Sequence, residues 1–557
     1  MLARTLVFTA IAALLASCGH EPEGSPLPVG GTVVVAWQEP ATLDLLYAPG
    51  VQSAATIARV AVEGLVGVGP DGNELPVLAR EVPTVANGGV VLSADGKSMS
   101  VRYRLRDGVK WSDGAAFTSA DVRFTWRSIM SDPKVSTREG YDRIDDVEIP
   151  DPLTAIVRYR ALDPAYATRF DTILPQHLLE NSTDAVRLAY GRAPLGTGPF
   201  RIIEFDPGDH VTAERNPNAR TRALLDRVVF RFTPSLDVAK AQLKAGEADL
   251  VPSLFESDVP DLVSDSALAI AQAPSPIVET VLFNFARPAD AGADPAQPHP
   301  VLSDRAIRHA LAIATPKQRI VDSLLFGRAR AGTSEIPIGW AVVPGAVQDG
   351  YDPAAAKREL DAAGWVAGGD GIRARDGIRA SLRLVGTTGN ALRERIEQVL
   401  VDEWKAIGIE AKIANVPSAT LTSPWSAGGV RKRGSFDMLI ANAGLGTAGA
   451  DPIAYATQRF RCASIPTAAN AGAGANYGRW CDAAADRAIA DAALTLDRET
   501  QKTRLGAALT SVVAQVTGIW VYDRGRIDAY RTRLHGIRSN GWDQVTWNVA
   551  EWWRDGP

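Results

Sequence analysis

The stretch 98–126 constrains the fold most, because it places a strand, two turns and a capped helix in immediate succession. Apolar and polar side chains alternate over residues 98–105, which is the pattern of a half-buried strand. Asp107-Gly108 and Asp113-Gly114 then supply turns. The stretch therefore predicts a strand followed by a helix, which by itself is only a fragment of a mixed fold.

A helix is predicted to begin directly after Thr118. The Thr118 hydroxyl can accept a hydrogen bond from a free N–H group of the first turn, and Asp121 puts a negative charge near the positive helix start. Apolar residues recur at helical spacing on one face through Ile129. By the same capping rule, Ser235 and Ser303 are predicted to begin later helices.

The amino-acid sequence of this stretch resembles that of the peptide/nickel family of extracellular solute-binding proteins (family 5, cluster C). The chain reads LRDGVKWSDG over 105–114 and FTSADVRF over 117–124, and both strings are similar to the family pattern. Five further segments resemble the family and occur in the family's order: 174–179 (LPQHLL), 196–200 (GTGPF), 241–250 (AQLKAGEADL), 303–311 (SDRAIRHAL) and 476–481 (NYGRWC). Together these matches extend over nearly the whole mature chain.

The resemblance implies an α/β fold of the type II periplasmic-binding-protein kind, with two lobes and an extra subdomain on the first lobe. A length of 557 residues also exceeds what one core supports, and it predicts about three domains. We expect a signal peptide at 1–18, a flexible tether at 19–31, a first lobe at 32–65 with 191–278 and 518–557, an extra subdomain at 66–190, and a second lobe at 279–517.

The N-terminus has the pattern of an exported lipoprotein. Arg4 precedes an apolar run over 6–16, which is shorter than the roughly 20 residues that a membrane span requires. Leu15-Ala-Ser-Cys18 resembles a lipoprotein cleavage motif, so Cys18 is expected to become the acylated first residue. We therefore expect an extracytoplasmic protein anchored to the cell membrane by lipid, with an uncleaved anchor as the alternative.

The charge and the motif content exclude several classes of function. A net charge of −5 provides no basic surface for nucleic acid, so no nucleic-acid partner is expected. The sequence contains no Gly-x-Ser-x-Gly elbow, no Walker-type loop and no His-Glu-x-x-His helix, and its six histidines are scattered. Gly-Gly-Asp-Gly at 368–371 is interpreted as a hairpin turn rather than a phosphate nest. We therefore expect neither an enzyme nor a cofactor.

Cys462 and Cys481 are predicted to form a disulfide. They flank a loop rich in Ala, Asn and Gly that offers no nearby His or third Cys, so a zinc site with four N or S ligands is a poor interpretation. The segment NYGRWC at 476–481 also resembles family members that carry a disulfide at this place, and this resemblance supports the pairing. Closing a loop of this length would stabilise the fold by roughly 3 kcal/mol.

The family resemblance implies that the protein captures a solute, most simply a short peptide, and delivers it to the permease subunits of an ABC importer. Closure of the lobes is expected to hinge near 280–285 and 518–523, and we expect a monomer. Other solutes remain open, including a sugar, a metal chelate or an amine-blocked compound. An envelope hydrolase or chaperone and a transport-silent sensor or scaffold are the alternatives from other classes.

The predicted ligand residues are Trp37, Asn442 and Asp451. Trp37 and Asn442 are chosen because they fall at strand ends that face the expected cleft. Peptide-binding members place an aspartate after the corresponding second-lobe strand, where it pairs with the terminal ammonium, but residues 441–450 contain no carboxylate. Asp451 is the first carboxylate after that stretch, and it either takes this role or caps the helix at Pro452.

The C-terminal end is rich in tryptophan. Four tryptophans, at positions 542, 547, 552 and 553, fall within its last residues. Aromatic side chains bury large areas wherever they lie, so packing against the first lobe is favoured over a role in lining the ligand site.

Overall fold

A computed structural model describes residues 28–48, 51–135, 138, 140–445 and 451–556. The predicted signal peptide, Cys18 and most of the predicted tether lie outside these ranges. Within the described ranges, no helix combines the length and the hydrophobicity that crossing a bilayer requires.

The strands of the described chain form one large sheet and four small ones. Their bounds in chain order are β1 (Thr32–Trp37), β2 (Val66–Val68), β3 (Glu74–Pro76), β4 (Val90–Leu92), β5 (Met99–Arg104), β6 (Ile144–Asp151), β7 (Thr154–Tyr159), β8 (Phe200–Asp206), β9 (His210–Arg215), β10 (Arg227–Phe232), β11 (Leu250–Val251), β12 (Leu268–Phe283), β13 (Arg330–Ala331), β14 (Val366–Ala367), β15 (Arg373–Arg375), β16 (Ile378–Arg379), β17 (Ser381–Val385), β18 (Glu410–Ile413), β19 (Met438–Gly444), β20 (Gly518–Arg531), β21 (Leu534–His535) and β22 (Trp553–Arg554).

The α-helices alternate with these strands along most of the chain. Their bounds are α1 (Gln52–Ala58), α2 (Ser119–Ser131), α3 (Gln176–Leu179), α4 (Asp184–Arg192), α5 (Leu236–Ala245), α6 (Val259–Val263), α7 (Arg305–Ile313), α8 (Lys317–Leu324), α9 (Pro353–Ala362), α10 (Ala391–Ala406), α11 (Ser418–Thr422), α12 (Val430–Arg433), α13 (Pro452–Phe460), α14 (Ala483–Ala492) and α15 (Arg498–Ala514).

The large sheet is continuous across both predicted lobes. Its strand order is β18-β17-β19-β12-β20-β11-β1-β10-β9-β8, and β13 pairs with β20 beside this path. The two longest strands, β12 and β20, pair antiparallel in the middle. On one side β20 continues through β11 to β1, and on the other β12 continues to β19. These two strands therefore carry the chain between the lobes.

The stretch 98–126 folds as predicted. Strand β5 lies in the four-stranded sheet β4-β5-β7-β6 and buries Met99, Val101 and Tyr103. Thr118 caps α2: its Oγ1 accepts a hydrogen bond from Ala120 N at 3.3 Å, and its own N–H donates to Asp121 Oδ2 at 2.9 Å. Both contacts satisfy donors that a helix start leaves free.

The buried apolar side chains form several clusters that follow the layers of the fold. One cluster packs around β1 and β10 in the first lobe, and another is built from residues 65–173. The second lobe has a cluster around α7, α10 and β17, and a further cluster around α13, α14 and α15 includes Trp542 from the C-terminal end. Trp542 therefore packs against residues of the predicted second lobe. The residue bounds of the domains stay a prediction.

The ladder between β12 and β20 is irregular at two places along its length. Residues 268–274 pair with 525–531, pairing resumes between Val278 and Asp523, and a second irregularity follows at Glu279. Pro274 is the last paired residue before the break and Pro276 lies within the break, and proline has no N–H group to donate to a ladder. The larger of the two interruptions therefore lies between Pro274 and Val278.

Two smaller predictions from the sequence can be compared directly with the structure. Residues 368–371 form the turn between β14 and β15, as the hairpin interpretation predicted. The predicted cap at Ser303 is wrong by one position: Asp304 caps α7, and its Oδ1 accepts a hydrogen bond from Ala306 N at 2.9 Å.

Cys462 and Cys481 are joined by a disulfide, as predicted. The two cysteines are 19 positions apart, and the bond closes the segment between α13 and α14. Cys481 is exposed and Cys462 is half-buried. A reductant in solution can therefore reach the bond.

Replacing both Cys462 and Cys481 with serine is expected to lower the free energy of unfolding by about 3 kcal/mol, because the unfolded chain loses its cross-link. Denaturant titration of the wild type and the double variant measures the difference. Reductant should shift the wild type toward the variant and leave the variant unchanged. Equal stabilities without reductant would contradict the expectation.

Candidate functional site

A cavity of about 730 Å³ lies between α1, the β2–β3 hairpin, residues 129–172 and the C-terminal residues 543–551. This volume falls within the range of roughly 300–1,000 Å³ that is usual for small-ligand sites. Nearly all of the lining falls within the residues predicted for the first lobe and its subdomain. Ala454, in the first turn of α13, adds a contact from the predicted second lobe.

Helix α1 positions the charged wall of this cavity. Ala54, Ile57 and Ala58 are fully buried, and Ile57 and Ala58 pack in the cluster around β1, so the helix is fixed on the sheet. Its C-cap residue is Arg59, which lines the cavity. Gly64 follows, and a Cβ atom there would lie 2.5 Å from the backbone of Asp171. Glycine at this position is therefore what lets the segment with Asp171 approach.

Arg59 and Asp171 form the central ion pair of the cavity wall. Arg59 Nη2 lies 2.8 Å from Asp171 Oδ2, and Arg59 Nη1 also donates to the Asp171 carbonyl oxygen. The side chains are 18% and 34% exposed, so the carboxylate is the more accessible member of the pair. Both residues line the cavity.

Asp543 adds a second carboxylate near Arg59. Its segment is fixed to α1, because Thr56 Oγ1 donates to Gln544 Oε1 at 3.0 Å and Thr546 Oγ1 donates to the Thr56 carbonyl at 2.9 Å. Burial raises the pKa of Asp543, while the charges of Arg59 and Arg526 and a hydrogen bond from Gln544 N lower it. The charge of Asp171 also raises this pKa, so the two carboxylates act on each other.

Two further ion pairs stabilise the walls of the cavity. Glu63 Oε2 accepts a hydrogen bond from Thr197 Oγ1 at 2.8 Å, and Arg220 Nη2 lies 3.6 Å from Glu63 Oε1. Burial raises the pKa of Glu63, and these partners oppose the shift. Arg169 donates to both oxygens of Asp163, at 2.6 and 2.8 Å, which fixes the segment that leads to Asp171.

The structure places the three predicted ligand residues away from the lining of this cavity. Trp37 is 7% exposed, packs in the cluster around β1, and has an indole N–H without a partner in the described chain. Asn442 is exposed on β19, opposite Glu279 of β12. Asp451 is one turn before Ala454, and residues 446–450, which precede it, lie outside the described ranges. Their ligand roles stay predictions.

Asp451 is the N-cap of α13. Its Oδ1 accepts a hydrogen bond from Ile453 N at 3.1 Å, and its Oδ2 accepts one from Ala454 N at 3.2 Å. Pro452 occupies the first helical position, where its missing N–H costs nothing. Burial is the main cause that raises the pKa of Asp451, to about 6.

The raised pKa of Asp451 gives a testable pH dependence. The ordinary value is 3.8, so between roughly pH 4 and 6 the folded chain holds a proton that the unfolded chain has released, and stability falls as the pH rises through this window. Asparagine also caps helices but does not titrate. As the pH rises from 4 to 7, the free energy of unfolding of Asp451→Asn should therefore increase by about 1–2 kcal/mol relative to that of the wild type. Denaturant titration of both proteins at pH 4 and at pH 7 measures this gain. The same difference in free energy of unfolding between variant and wild type at both pH values would contradict the prediction.

The tryptophans of the C-terminal end have different surroundings: some pack in the protein interior, and one lines the cavity. Trp552 is fully buried in the cluster around β1, and Trp553 stacks on His535 with ring centroids 4.0 Å apart. Trp547 lines the cavity, and its Nε1 donates to the Arg538 carbonyl at 2.7 Å. The predicted preference for packing therefore describes Trp552 but not Trp547.

The sequence interpretation missed Arg59, Asp171 and Asp543. Arg59 and Asp171 are 112 positions apart, and Asp543 is near the other end of the chain, so no local spacing connects them. Two features of the sequence could have drawn attention to the carboxylates: Asp171 lies just before segment 174–179, and Asp543 lies in the tryptophan-rich end. Neither feature shows that these residues lie close to Arg59, because only the fold brings the three segments together.

Comparison with known proteins gave one family and several relatives. The model of "Bacterial extracellular solute-binding proteins, family 5 Middle" matches residues 80–465. The oligopeptide-binding protein AppA of Bacillus subtilis is 25% identical over 559 residues, which cover 96% of this chain and 94% of AppA. Protein XP55 of Streptomyces lividans is 27% identical over 404 residues, covering 72% of this chain and 69% of that protein.

Two solved structures have a similar fold. NikZ from Campylobacter jejuni, in complex with Ni(L-His), has a TM-score of 0.72 at 24% identity, covering 94% of this chain and 99% of NikZ. AppA from Bacillus subtilis, in complex with a nonapeptide, has a TM-score of 0.69 at 24% identity, covering 95% of this chain and all of AppA.

Proposed function

Because the chain belongs to the bacterial extracellular solute-binding proteins of family 5, we propose that it captures short peptides outside the cytoplasm and delivers them to an ABC importer. The family consists of solute-binding proteins rather than enzymes. A relative that aligns over almost the whole chain is named an oligopeptide-binding protein, which supports a peptide as the solute.

The cavity of about 730 Å³ is the observation that carries this proposal. Its wall presents a guanidinium at Arg59 and carboxylates at Asp171 and Asp543, together with the apolar and aromatic surface of Leu75 and Trp547. A short peptide has both charges at its termini and a variable, partly apolar middle. A wall with both charges and apolar area suits such a solute better than it suits a purely apolar or singly charged one.

The mechanism that we propose is closure of the two lobes about β12 and β20. A ligand that contacts both lobes only in the closed state shifts the population toward closure by its differential affinity for that state. Ala454 provides the second-lobe contact with the cavity. The break in the ladder between Pro274 and Val278 is where the two strands can bend with the least loss of hydrogen bonds. The permease subunits would then recognise the closed form of a monomer.

Calorimetric titration with a set of short synthetic peptides tests the proposal, and mass spectrometry of material that copurifies from the native source complements it. We expect a mixture of short peptides and saturable binding of at least some synthetic ones. A sugar, a metal chelate or an amine-blocked compound as the copurifying species, without peptide binding, would contradict the peptide assignment. Peptide binding without uptake in cells would favour a sensor or scaffold.

A metal chelate is the second candidate for the solute. Residues 441–450 contain no carboxylate to pair with a peptide's ammonium, and a structural neighbour, NikZ, holds Ni(L-His). A chelate offers carboxylates and no free amine at that place. Titration with nickel–histidine complexes distinguishes the two solutes.

We also propose that Cys18 anchors the protein to the membrane by lipid, because an apolar run over 6–16 precedes Leu15-Ala-Ser-Cys18. Cys18→Ser is expected to abolish labelling by radioactive lipid precursors and to move the protein from the membrane to the soluble fraction. Continued labelling and membrane association of this variant would refute the anchor.

A further inference from the structure

The carboxylates around Arg59 outnumber the guanidiniums. Asp171 pairs with Arg59, and Asp543 lines the same cavity, where the charges of Arg59 and Arg526 lower its pKa. The charge of Arg526 also lowers the pKa of Asp528. The guanidinium of Arg526 makes no hydrogen bond or ion pair within the described chain. Asp528 is fully buried and accepts hydrogen bonds from Ser253 N at 3.0 Å and from Ser539 Oγ at 3.3 Å. Three carboxylates therefore share two guanidiniums.

The other charged groups of the cavity wall are balanced one to one. Arg220 lies beside Glu63, Arg169 is bidentate on Asp163, and Arg538 pairs with Glu551. The excess negative charge is therefore localised at Asp171 and Asp543, where the C-terminal segment meets α1 at the cavity wall.

Asp543 retains an oxygen for a ligand. Its Oδ1 accepts a hydrogen bond from Gln544 N at 2.6 Å, and Oδ2 accepts none within the described chain. The residue is half-buried and lines the cavity, so the free oxygen is recessed but within reach of a solute. A carboxylate held this way is desolvated without full compensation, and a cation with several N–H donors relieves that cost.

We propose that Asp543, with Asp171 beside it, holds the free ammonium group of the solute. This inference rests on the proposed function, because it assumes that a solute with an amine occupies the cavity. It places amine recognition on the first lobe, in a chain whose residues 441–450 in the second lobe contain no carboxylate. The ammonium would be bound to the first lobe before closure, and the second lobe would close over the rest of the solute.

The test compares one tripeptide in two forms, with a free and with an N-acetylated amino terminus, by calorimetric titration. The wild type is expected to bind the free form about tenfold or more tightly than the acetylated form. Asp543→Asn should lose this preference and still bind the acetylated form, which also shows that the variant is folded. Asp555→Asn removes an exposed carboxylate from the same terminal segment, paired with His535, and should keep the preference.

An unchanged preference in Asp543→Asn, or an equal loss for both forms of the peptide, would overturn the inference. Loss of the preference in Asp451→Asn instead would assign the amine to the second lobe and would also overturn it. If Asp543→Asn does not fold, equal affinity of the wild type for the two forms is sufficient to reject the inference. Failure of the wild type to bind either form would refute the peptide function itself, so the two failures are distinguishable.

Discussion

Replacing Arg459 with methionine is expected to lower the free energy of unfolding by about 3–5 kcal/mol, because it leaves Glu335 as an unpaired charge inside the second lobe. Arg459 Nε donates to Glu335 Oε1 at 2.9 Å, and the two side chains are only 11% and 5% exposed. Tyr455 Oη donates to the same carboxylate at 2.6 Å, and Trp520 Nε1 donates to its other oxygen. These two donors would still bind the Glu335 carboxylate in the variant, but they are neutral and do not replace the positive charge of the guanidinium.

Arg461→Met provides a matched control for this prediction. Arg461 lies two positions further along and pairs with Asp486 at 3.1 Å, with side chains 31% and 21% exposed. A partly solvated pair of this kind contributes at most about 1 kcal/mol. Denaturant titration of both variants makes the comparison. Equal losses in the two variants would show that burial of the Glu335 pair is not what makes it important.

The Glu335 cluster also connects the cavity with the strands between the lobes. Tyr455 and Arg459 belong to α13, whose first turn carries Ala454, and Trp520 belongs to β20. Through Glu335, the helix that contributes Ala454 to the cavity is therefore fixed to one of the two crossing strands. Arg459→Met is expected to weaken peptide binding as well, because α13 loses its fixed position relative to β20.

The sequence predicted best those features whose causes are local. The family and the two-lobed α/β fold are confirmed, and the capped helix at Thr118 formed as expected because the hydroxyl, Asp121 and the apolar face all lie within a few turns. Ser303 and Asp304 are both good capping residues, and local rules do not distinguish them. Asp304 also accepts hydrogen bonds from Trp365 Nε1 at 2.9 Å and from Arg375 Nη1 at 2.6 Å, and these distant contacts favour it.

The charged wall of the cavity could not be predicted, because its geometry depends on three chain segments that only the fold brings together. Gly64 permits the approach of Asp171, and Thr56 fixes the segment with Asp543. In the sequence, each of these residues resembles an ordinary surface or turn residue. Strand ends, which guided the choice of Trp37 and Asn442, were visible in the sequence but do not reveal which side chains face the cavity.

The sequence also could not locate the break in the ladder between the two crossing strands. The sequence placed the hinge near 280–285 and 518–523, where apolar runs predicted crossing strands. Residues 278–282 are instead paired with β20, and the main break lies before them, between Pro274 and Val278. Apolar content identifies a strand, whereas proline pairs within it identify where its ladder fails. The hinge itself stays a prediction that a cross-link can test.

The contact between Glu74 and Arg498 offers a place to lock the lobes. Glu74 lies on the β2–β3 hairpin, Arg498 begins α15, and the two side chains approach to 3.1 Å. The Arg498 guanidinium also lies 4.3 Å from the centroid of the Trp340 ring. Because the pair is partly exposed, it contributes little energy, roughly 1 kcal/mol or less. It marks where the lobes meet without being strong enough to keep them closed.

Cysteines at positions 74 and 498, joined by a short bismaleimide in the absence of solute, are expected to abolish peptide binding and uptake, because the link prevents the opening that we propose for solute entry. Cys18 is kept, because its proposed acylation leaves no free thiol and its loss would release the protein from the membrane. Each single-cysteine variant treated with the same reagent is the control. If the solute is added before the cross-linker, it should stay trapped through extensive dialysis. Undiminished exchange of solute with the lobes joined would exclude closure about β12 and β20 as the mechanism, since the cavity would then have to fill by a route that leaves both lobes in place.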